Sequence, residues 1–366
     1  MLDWHRKVKK LYDSGLGDTA ISRAVRDMFP DKTERQVYET VRSHRRRVIE
    51  GGSVVRPEED WRDRYLRKLK GGCDVSELDK DFMTAVEHIE QLESEGFVVD
   101  RFGDTYKLAK MLVAGDDVFG SDWDGSREIK FGIVSDTHIG SVYTQLTALH
   151  KAYDCFEREG ISDVYSPGDL TEGEKMRPGH EYECYVHGAD RYEDHVVDVY
   201  PKREGITTHM ISGNHDASFT KQIGLDIVRK VANRRDDINY LGYGRAVLDL
   251  APGCRIEMRH PGGGGSYAIS YKPQKIVSSM QGGSKPNILL LGHYHKQGNF
   301  FYRNVHTLLA ATMQSQSNFM RDMSLDSHVG FYIVTVKVDA EGSVVSILPD
   351  YRPVYKMVED DWKNWR

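Results

Sequence analysis

Apolar positions in the first part of the chain recur at helical spacing. Residues 3–12 predict a short helix, and Gly15-Leu16-Gly17 breaks it. Ile21, Ala24, Val25 and Met28 then fall on one face of a second helix, with Asp18 and Thr19 as cap candidates at its start. Phe29-Pro30-Asp31 interrupts again, and residues 33–48 predict a third helix. After Gly51-Gly52 and Pro57 a second unit runs from about 61 to 112, with helices at 75–79 and 82–95 and two short strands at 96–100 and 102–108. The stretch 114–125 is rich in Gly, Asp and Ser, which marks a linker. From residue 128 short apolar runs alternate with helical stretches. Strands are expected at 129–135, 164–167, 206–212, 255–259, 288–291 and 331–338, and helices at 143–159, 188–200 and 225–233. This alternation predicts a layered α/β or α+β domain, whose ligands sit beyond the C-terminal ends of strands.

Charge sharpens the picture of the first two units. The 366 residues carry a net charge of -6, yet residues 1–72 hold 18 Lys and Arg against 12 Asp and Glu, while residues 73–110 hold 4 against 10. The third helix ends in Arg42, His44, Arg45, Arg46 and Arg47. The helical series therefore reads as a basic helix-turn-helix, residues 1–52, with Arg42, Arg45, Arg46 and Arg47 placed to meet DNA phosphates. The bland alternative is a solvated basic face on a three-helix bundle. The second unit, 57–115, has the helix and strand order of a winged helix, but Glu87, Glu90, Glu93 and Glu95 would oppose phosphates. Packing or homodimerisation suits that helix better than DNA contact.

Composition narrows the class. Charged residues make up 29% and aromatic residues 10%, a soluble globular profile rather than a disordered one. No apolar run reaches the ~18 residues that span a bilayer, and residues 1–10 lack the apolar core of a signal peptide. A cytoplasmic protein without membrane partners is the expectation. Cys73, Cys155, Cys184 and Cys254 are far apart and form no CxxC, so neither a zinc knuckle nor a disulfide framework is supported. No Walker A or Gly-x-Gly-x-x-Gly element follows a strand, which excludes the common nucleotide-triphosphate and nicotinamide sites.

Chemistry-bearing residues cluster after the expected strands. They are Asp136-Thr137-His138, Gly168-Asp169, Gly213-Asn214-His215-Asp216, His260-Pro261 and Gly292-His293-Tyr294-His295. A lone Gly-Asp or a lone His260 would mean nothing, but five such elements, each directly after a strand, form one constellation. Mixed carboxylate, imidazole and amide donors suit borderline divalent ions such as Mn²⁺, Fe or Zn²⁺.

In order and type these elements resemble the calcineurin-like metallophosphoesterase superfamily. The resemblance covers about 128–350 and implies a two-sheet β-sandwich flanked by helices, followed by a tail at 351–366 and preceded by a linker at 116–127. It implies two divalent ions, most readily Mn²⁺. Asp136, His138 and His295 would hold one, Asn214, His260 and His293 the other, and Asp169 would bridge them. Ions about 3.5 to 4 Å apart generate a bridging hydroxide for in-line attack on phosphorus. His215 corresponds to the catalytic histidine that protonates the leaving group, with Asn214 helping to offset phosphoryl charge. Asp216 either orients the His215 ring or caps a helix starting at Ala217.

Two loops carry alternatives. Gly262 to Gly265 either let the backbone approach the metals or form a plain loop. Residues 171–205, with His180, His187, His195, Arg177, Arg191, Tyr182 and Tyr185, form either a cap with stacking groups or a surface hairpin. For substrate, Gly168-Asp169-Leu170-Thr171-Glu172-Gly173 departs from the Gly-Asp-x-x-Asp-Arg-Gly of phosphoprotein phosphatases. Gly-Asn-His-Asp and His260-Pro261 are similar to the DNA-repair nucleases of the superfamily, which work with an ATPase partner. The expected activity is a phosphodiesterase acting on DNA. The alternatives are a small-nucleotide phosphatase or cyclic phosphodiesterase, and a DNA-binding regulator with a vestigial core.

Overall fold

The computed structural model describes residues 3–45, 60–114, 117–120 and 123–365, so the candidate contacts Arg46 and Arg47 lie outside the described residues. The chain divides into two compact units, Met1–Arg64 and Tyr65–Arg366. In the first, α1 (Asp3–Asp13), α2 (Asp18–Ala24) and α3 (Glu34–His44) enclose Val8, Ile21, Val25, Val37 and Val41. A capping box starts α3: Thr33 Oγ1 accepts the Gln36 amide while Gln36 Oε1 accepts that of Thr33. The start of α2 differs from expectation. Gly17 occupies the N-cap without a side-chain bond, and Asp18, inside the first turn, instead pairs with Arg45 at 2.8 Å. Ala24 and Met28 are exposed, because α2 stops at Ala24 and a 3-10 turn at Arg26–Met28 breaks the 3.6-residue period. Arg45 also lies over the Tyr12 ring at 5.3 Å, whereas Arg42 is exposed.

α4 (Trp61–Gly71) crosses the division between the units. It is followed by β1 (Cys73–Asp74), α5 (Val75–Leu78), α6 (Phe82–Ser94), β2 (Val99–Phe102) and β3 (Thr105–Leu108), whose strands pair antiparallel in the order β1-β3-β2. The strand expected from residue 96 begins later. Phe97 bridges Leu225, the Val98 amide donates to Gly224 O at 2.8 Å, and the Asp226 amide donates to Gly96 O at 2.9 Å. The acidic helix α6 ends against the same region, where Ser94 O accepts Asn233 Nδ2 at 2.6 Å.

Two six-stranded sheets form the large domain. One has the spatial order β15 (Val344–Pro353), β14 (Gly330–Val338), β5 (Glu128–Ile133), β6 (Asp163–Ser166), β7 (Thr207–Ser212), β8 (Ile238–Tyr243). The other runs β12 (Gln297–Tyr302), β13 (Val305–Ala310), β11 (Ile288–Leu291), β10 (Cys254–Arg259), β9 (Arg245–Ala251), β4 (Val118–Gly120). The last of these lies in the stretch read as a linker. Three residues suffice for its parallel pairing with β9, and Phe119 and Trp123 pack on the layer between the sheets. That layer includes Phe131, Ile133, Ile211, Ile256, Leu290 and Val334, the inward faces of both sheets.

Helices α7 (Leu146–Arg158), α8 (Ala189–Val199), α9 (Ala217–Ile223) and α10 (Ile227–Ala232) contribute to the core outside the first sheet. Val277 of α11 (Tyr271–Ser279) packs on Leu289 and Leu291 of the second, and α12 (Asn318–Asp322) is capped by Ser317. The residues read as a tail are built into the domain: β15 ends at Pro353, Asp361 is fully buried against Thr147, and Trp362 stacks on Tyr185 at 4.9 Å. Strands β5, β6 and β7 run parallel, as do β10 and β11, so both sheets deliver C-terminal strand ends to the site loops.

Arg235 fixes the edge of this scaffold. Its guanidinium is buried, bonds Asp237 through Nε at 2.7 Å, and donates to the carbonyls of Val197, Tyr200 and Pro201. Arg235→Ala leaves a carboxylate and three carbonyls unpaired, so urea unfolding is expected to give a loss of about 3 to 5 kcal/mol.

Candidate metal centre

Seven side chains converge beyond those strand ends. Asp136, His138 and His295 come together in one group, and Asp169, His260 and His293 in a second. His138 Nε2 lies 2.9 Å from His295 Nε2, and His295 Nε2 lies 3.4 Å from Asp136 Oδ1. Asp169 Oδ2 stands between the groups, 3.8 Å from His138 Nε2 and 3.1 Å from His260 Nε2. Asn214 Oδ1 is 3.1 Å from His260 Nε2. Nitrogen and oxygen lone pairs this close repel unless a proton or a cation lies among them, and His295 Nδ1 is buried without a hydrogen-bond partner. The clustered donors fit a dinuclear metal site.

The backbone supports the same conclusion. Asp136, His138, Asp169, His293 and His295 all have positive φ, from 46° to 75°, a region that non-glycine residues enter at a cost. Strain at five of seven candidate ligands is held in place by hydrogen bonds. The His293 amide donates to Asp136 Oδ1 at 2.9 Å, and the His215 amide to Asp169 Oδ1 at 2.9 Å. Two glycines are dictated by the crowding. A Cβ at Gly168, where φ is +103°, would come within 2.5 Å of His260 Nδ1, and one at Gly213 would collide with the Asp169 carboxylate.

His260, His293 and His215 are each aimed by a backbone carbonyl on one ring nitrogen. His260 Nδ1 donates to Pro167 O at 2.8 Å, which leaves Nε2 for a ligand role. His293 Nε2 donates to Gly263 O at 2.9 Å, so the glycine run does bring backbone to the site and Nδ1 becomes the free nitrogen. His215 Nδ1 donates to Glu172 O at 2.6 Å. That carbonyl, and not Asp216, orients the His215 ring. The Asp216 carboxylate faces away, accepting the amides of Thr171 at 2.8 Å and Gly213 at 2.9 Å, and it caps no helix by side chain. It ties the Asp169 loop to the Asn214 loop, and burial raises its pKa to about 7.

Glu172 was missed as a site residue from sequence, as were the roles of His180 and Gln314. Its carboxylate lies 2.9 Å from His138 Nδ1, 2.8 Å from His180 Nε2 and 2.8 Å from Gln314 Nε2. The signal was the acid three residues after Asp169, which replaces the Asp of a familiar motif with a longer side chain. His180 places part of the 171–205 segment against the site. Tyr185 instead serves structure, bonding His195 at 2.7 Å, while Tyr182 is exposed.

The electrostatics follow from burial among charges. Burial opposes ionisation of Asp169, but the charges of His260 and His215 hold its carboxyl well below the usual range. Burial likewise disfavours charge on His260, yet the charge and hydrogen bond of Asp169 raise its pKa to about 9. His138 and His293 are lowered, chiefly by burial, and so stay neutral and ready to ligate.

Comparison with known proteins gives distant likenesses. No family model matches the chain. The DNA polymerase II small subunit of Methanocaldococcus jannaschii is 24% identical over 256 residues, a match covering 54% of this chain and 40% of that protein. A phosphoesterase from E. coli aligns over 60% of this chain and 98% of its own, with TM-score 0.34 and 14% identity. An archaeal phosphodiesterase covers 61% of this chain and 100% of its own, with TM-score 0.34 and 12% identity. Vps29 of Chaetomium thermophilum covers 64% and 100%, with TM-score 0.34 and 12% identity. At these levels the chemistry of the site has to be derived from its own residues.

Two outcomes test the centre. Glu172→Gln keeps the shape but weakens the grip on His138, so metal affinity measured by calorimetry is expected to fall about 10- to 100-fold. A bound cation must displace the proton that His260 keeps below about pH 9. Affinity is therefore expected to rise with pH toward 9, by about tenfold per unit, with about one proton released in buffers of differing protonation enthalpy.

Proposed function

We propose that this protein is a dinuclear-metal-dependent phosphodiesterase acting on DNA. The observation that carries the reading is the convergence of two donor groups on Asp169 with His215 beside them, its ring 4.6 Å from that of His138. Asp136, His138 and His295 would hold one ion, Asn214, His260 and His293 the other, and Asp169 would touch both; Mn²⁺ is the proposed metal. When bound, such ions lower the pKa of a coordinated water and offset charge on phosphoryl oxygens.

The protein's own residues supply the rest. With Nδ1 committed to Glu172 O, His215 exchanges its proton at Nε2. Burial lowers its basicity, but the charges of Asp169 and Glu172 overcome that and raise its pKa, so the ring carries a proton for the leaving alkoxide. Glu172, buried and held by His180 and Gln314, fixes both His138 and, through its carbonyl, His215. Asp216 keeps the loops carrying Asp169 and Asn214 in register.

Two features favour DNA as the substrate. The first unit ends α3 with Arg42 and Arg45, the proposed phosphate contacts together with Arg46 and Arg47. Arg45 shares its charge with Asp18, so Arg42 is the more available of the described pair. The relative matched by sequence is a DNA polymerase small subunit.

Purified protein stripped with EDTA is expected to be inactive and to recover hydrolysis of bis-p-nitrophenyl phosphate and oligonucleotides with Mn²⁺. His215→Ala is expected to lower kcat about a thousandfold while metal content stays unchanged. Rapid turnover of a mononucleotide, with no cleavage of single- or double-stranded DNA, would sink the DNA reading.

A further inference from the structure

A cleft of about 740 Å³ lies within the second unit, away from the donor cluster, between α4, the residues flanking the β2–β3 hairpin, and the end of α9. Five cations line it, Arg67, Lys70, Lys110, Lys221 and Lys230, against one carboxylate, Asp190. Lys230 is neutralised by Asp190 and Glu193 at 2.9 and 2.8 Å. Lys70, Lys110 and Lys221 are exposed and make no ion pair with any described residue. In a chain of net charge -6, unpaired ammonium groups gathered round one cavity repel each other and lower the cost of bringing in a polyanion. Between them the wall is apolar, with Phe97, Leu108 and Ile223, the last 43% exposed.

We infer that this cleft binds a single strand of DNA, its phosphates on Lys70, Lys110 and Lys221 and its bases against the apolar wall. A duplex fits less well, because its bases are stacked inward and cannot reach that wall. The position gives the binding a use. Helix α9 has seven residues and is about 10 Å long, with Gly224 in the cleft at one end and His215 just before the other. That length matches about three stacked nucleotides at roughly 3.4 Å each. The inference rests on the phosphodiesterase reading for its purpose, but the binding itself needs no metal.

The test is fluorescence anisotropy of a labelled oligothymidylate in EDTA, across a salt series, with the full chain. Lys70→Glu, Lys110→Glu and Lys221→Glu together are expected to weaken binding about tenfold or more. The slope of log K against log salt should become shallower by about 2, since each single-strand phosphate contact contributes roughly 0.7. The corresponding triple Lys→Arg variant is expected to bind as the original does, and an unfolding temperature unchanged in both variants separates lost contacts from lost fold. Unaltered affinity and slope in the Glu variant overturn the inference. So does absence of strand binding by the original protein, or a free mononucleotide that binds as tightly as the strand. Wild-type protein that binds the strand yet leaves bis-p-nitrophenyl phosphate intact with Mn²⁺ overturns the phosphodiesterase reading alone.

Discussion

The structure depends on one carboxylate held in a place where it would not sit by itself. Asp169 is almost wholly buried, carries a left-handed backbone, takes the His215 amide on one oxygen and faces His138 and His260 with the other. An unpaired anion in such surroundings is costly, so the neighbours must supply positive charge or donors. Every loop at the site meets this demand in part. Glycines at 168 and 213 make room, Asp216 laces two loops together, and the loops of the first sheet and of the second each bring an imidazole to the same oxygen.

That arrangement explains why the candidate ligand residues come in short strained turns rather than on helices. A strand end fixes position to within a few residues, and left-handed residues in the loop that follows let the chain turn sharply there. Asp136, His138, His293 and His295 all use this device. The strain is affordable because the sheets beneath are locked by a continuous apolar layer and by edge contacts such as Arg235 with Asp237.

Much of the site could be read along the chain because its residues are local to strand ends. Asp136, Asp169, Asn214, His260 and His293 each follow an apolar run by a few positions, so periodicity and residue type pointed the same way. What stayed hidden is held by long-range geometry. Glu172 meets His138 and Gln314 across 142 residues in the latter case, and nothing in the local sequence marks Gln314. Asp216 looked like an orienting or capping residue because sequence cannot say which way a carboxylate turns. The strands β8, β9, β12, β13 and β15 were passed over, since polar residues such as Asp249, Asn299 and His306 interrupt their apolar positions, whereas a strand such as β11 is one unbroken apolar run. Similarly, Ala24 and Met28 fitted a helical period that the chain abandons at a 3-10 turn.

The contact between Asp361 and the start of α7 has a consequence for the order in which the domain forms. Gln145 gives α7 no side-chain cap, and the Thr147 amide and hydroxyl are instead taken by a carboxylate 214 residues further on. During synthesis at roughly 5 to 20 residues per second, the first long helix of the sandwich therefore waits about ten seconds or more for its terminal partner. Until then its leading turn has open donors. The same holds for β5, which leads to Asp136 and His138 and pairs on one side with β14, so the edge of the sandwich that carries the candidate site is completed only when the last strands of the domain are available.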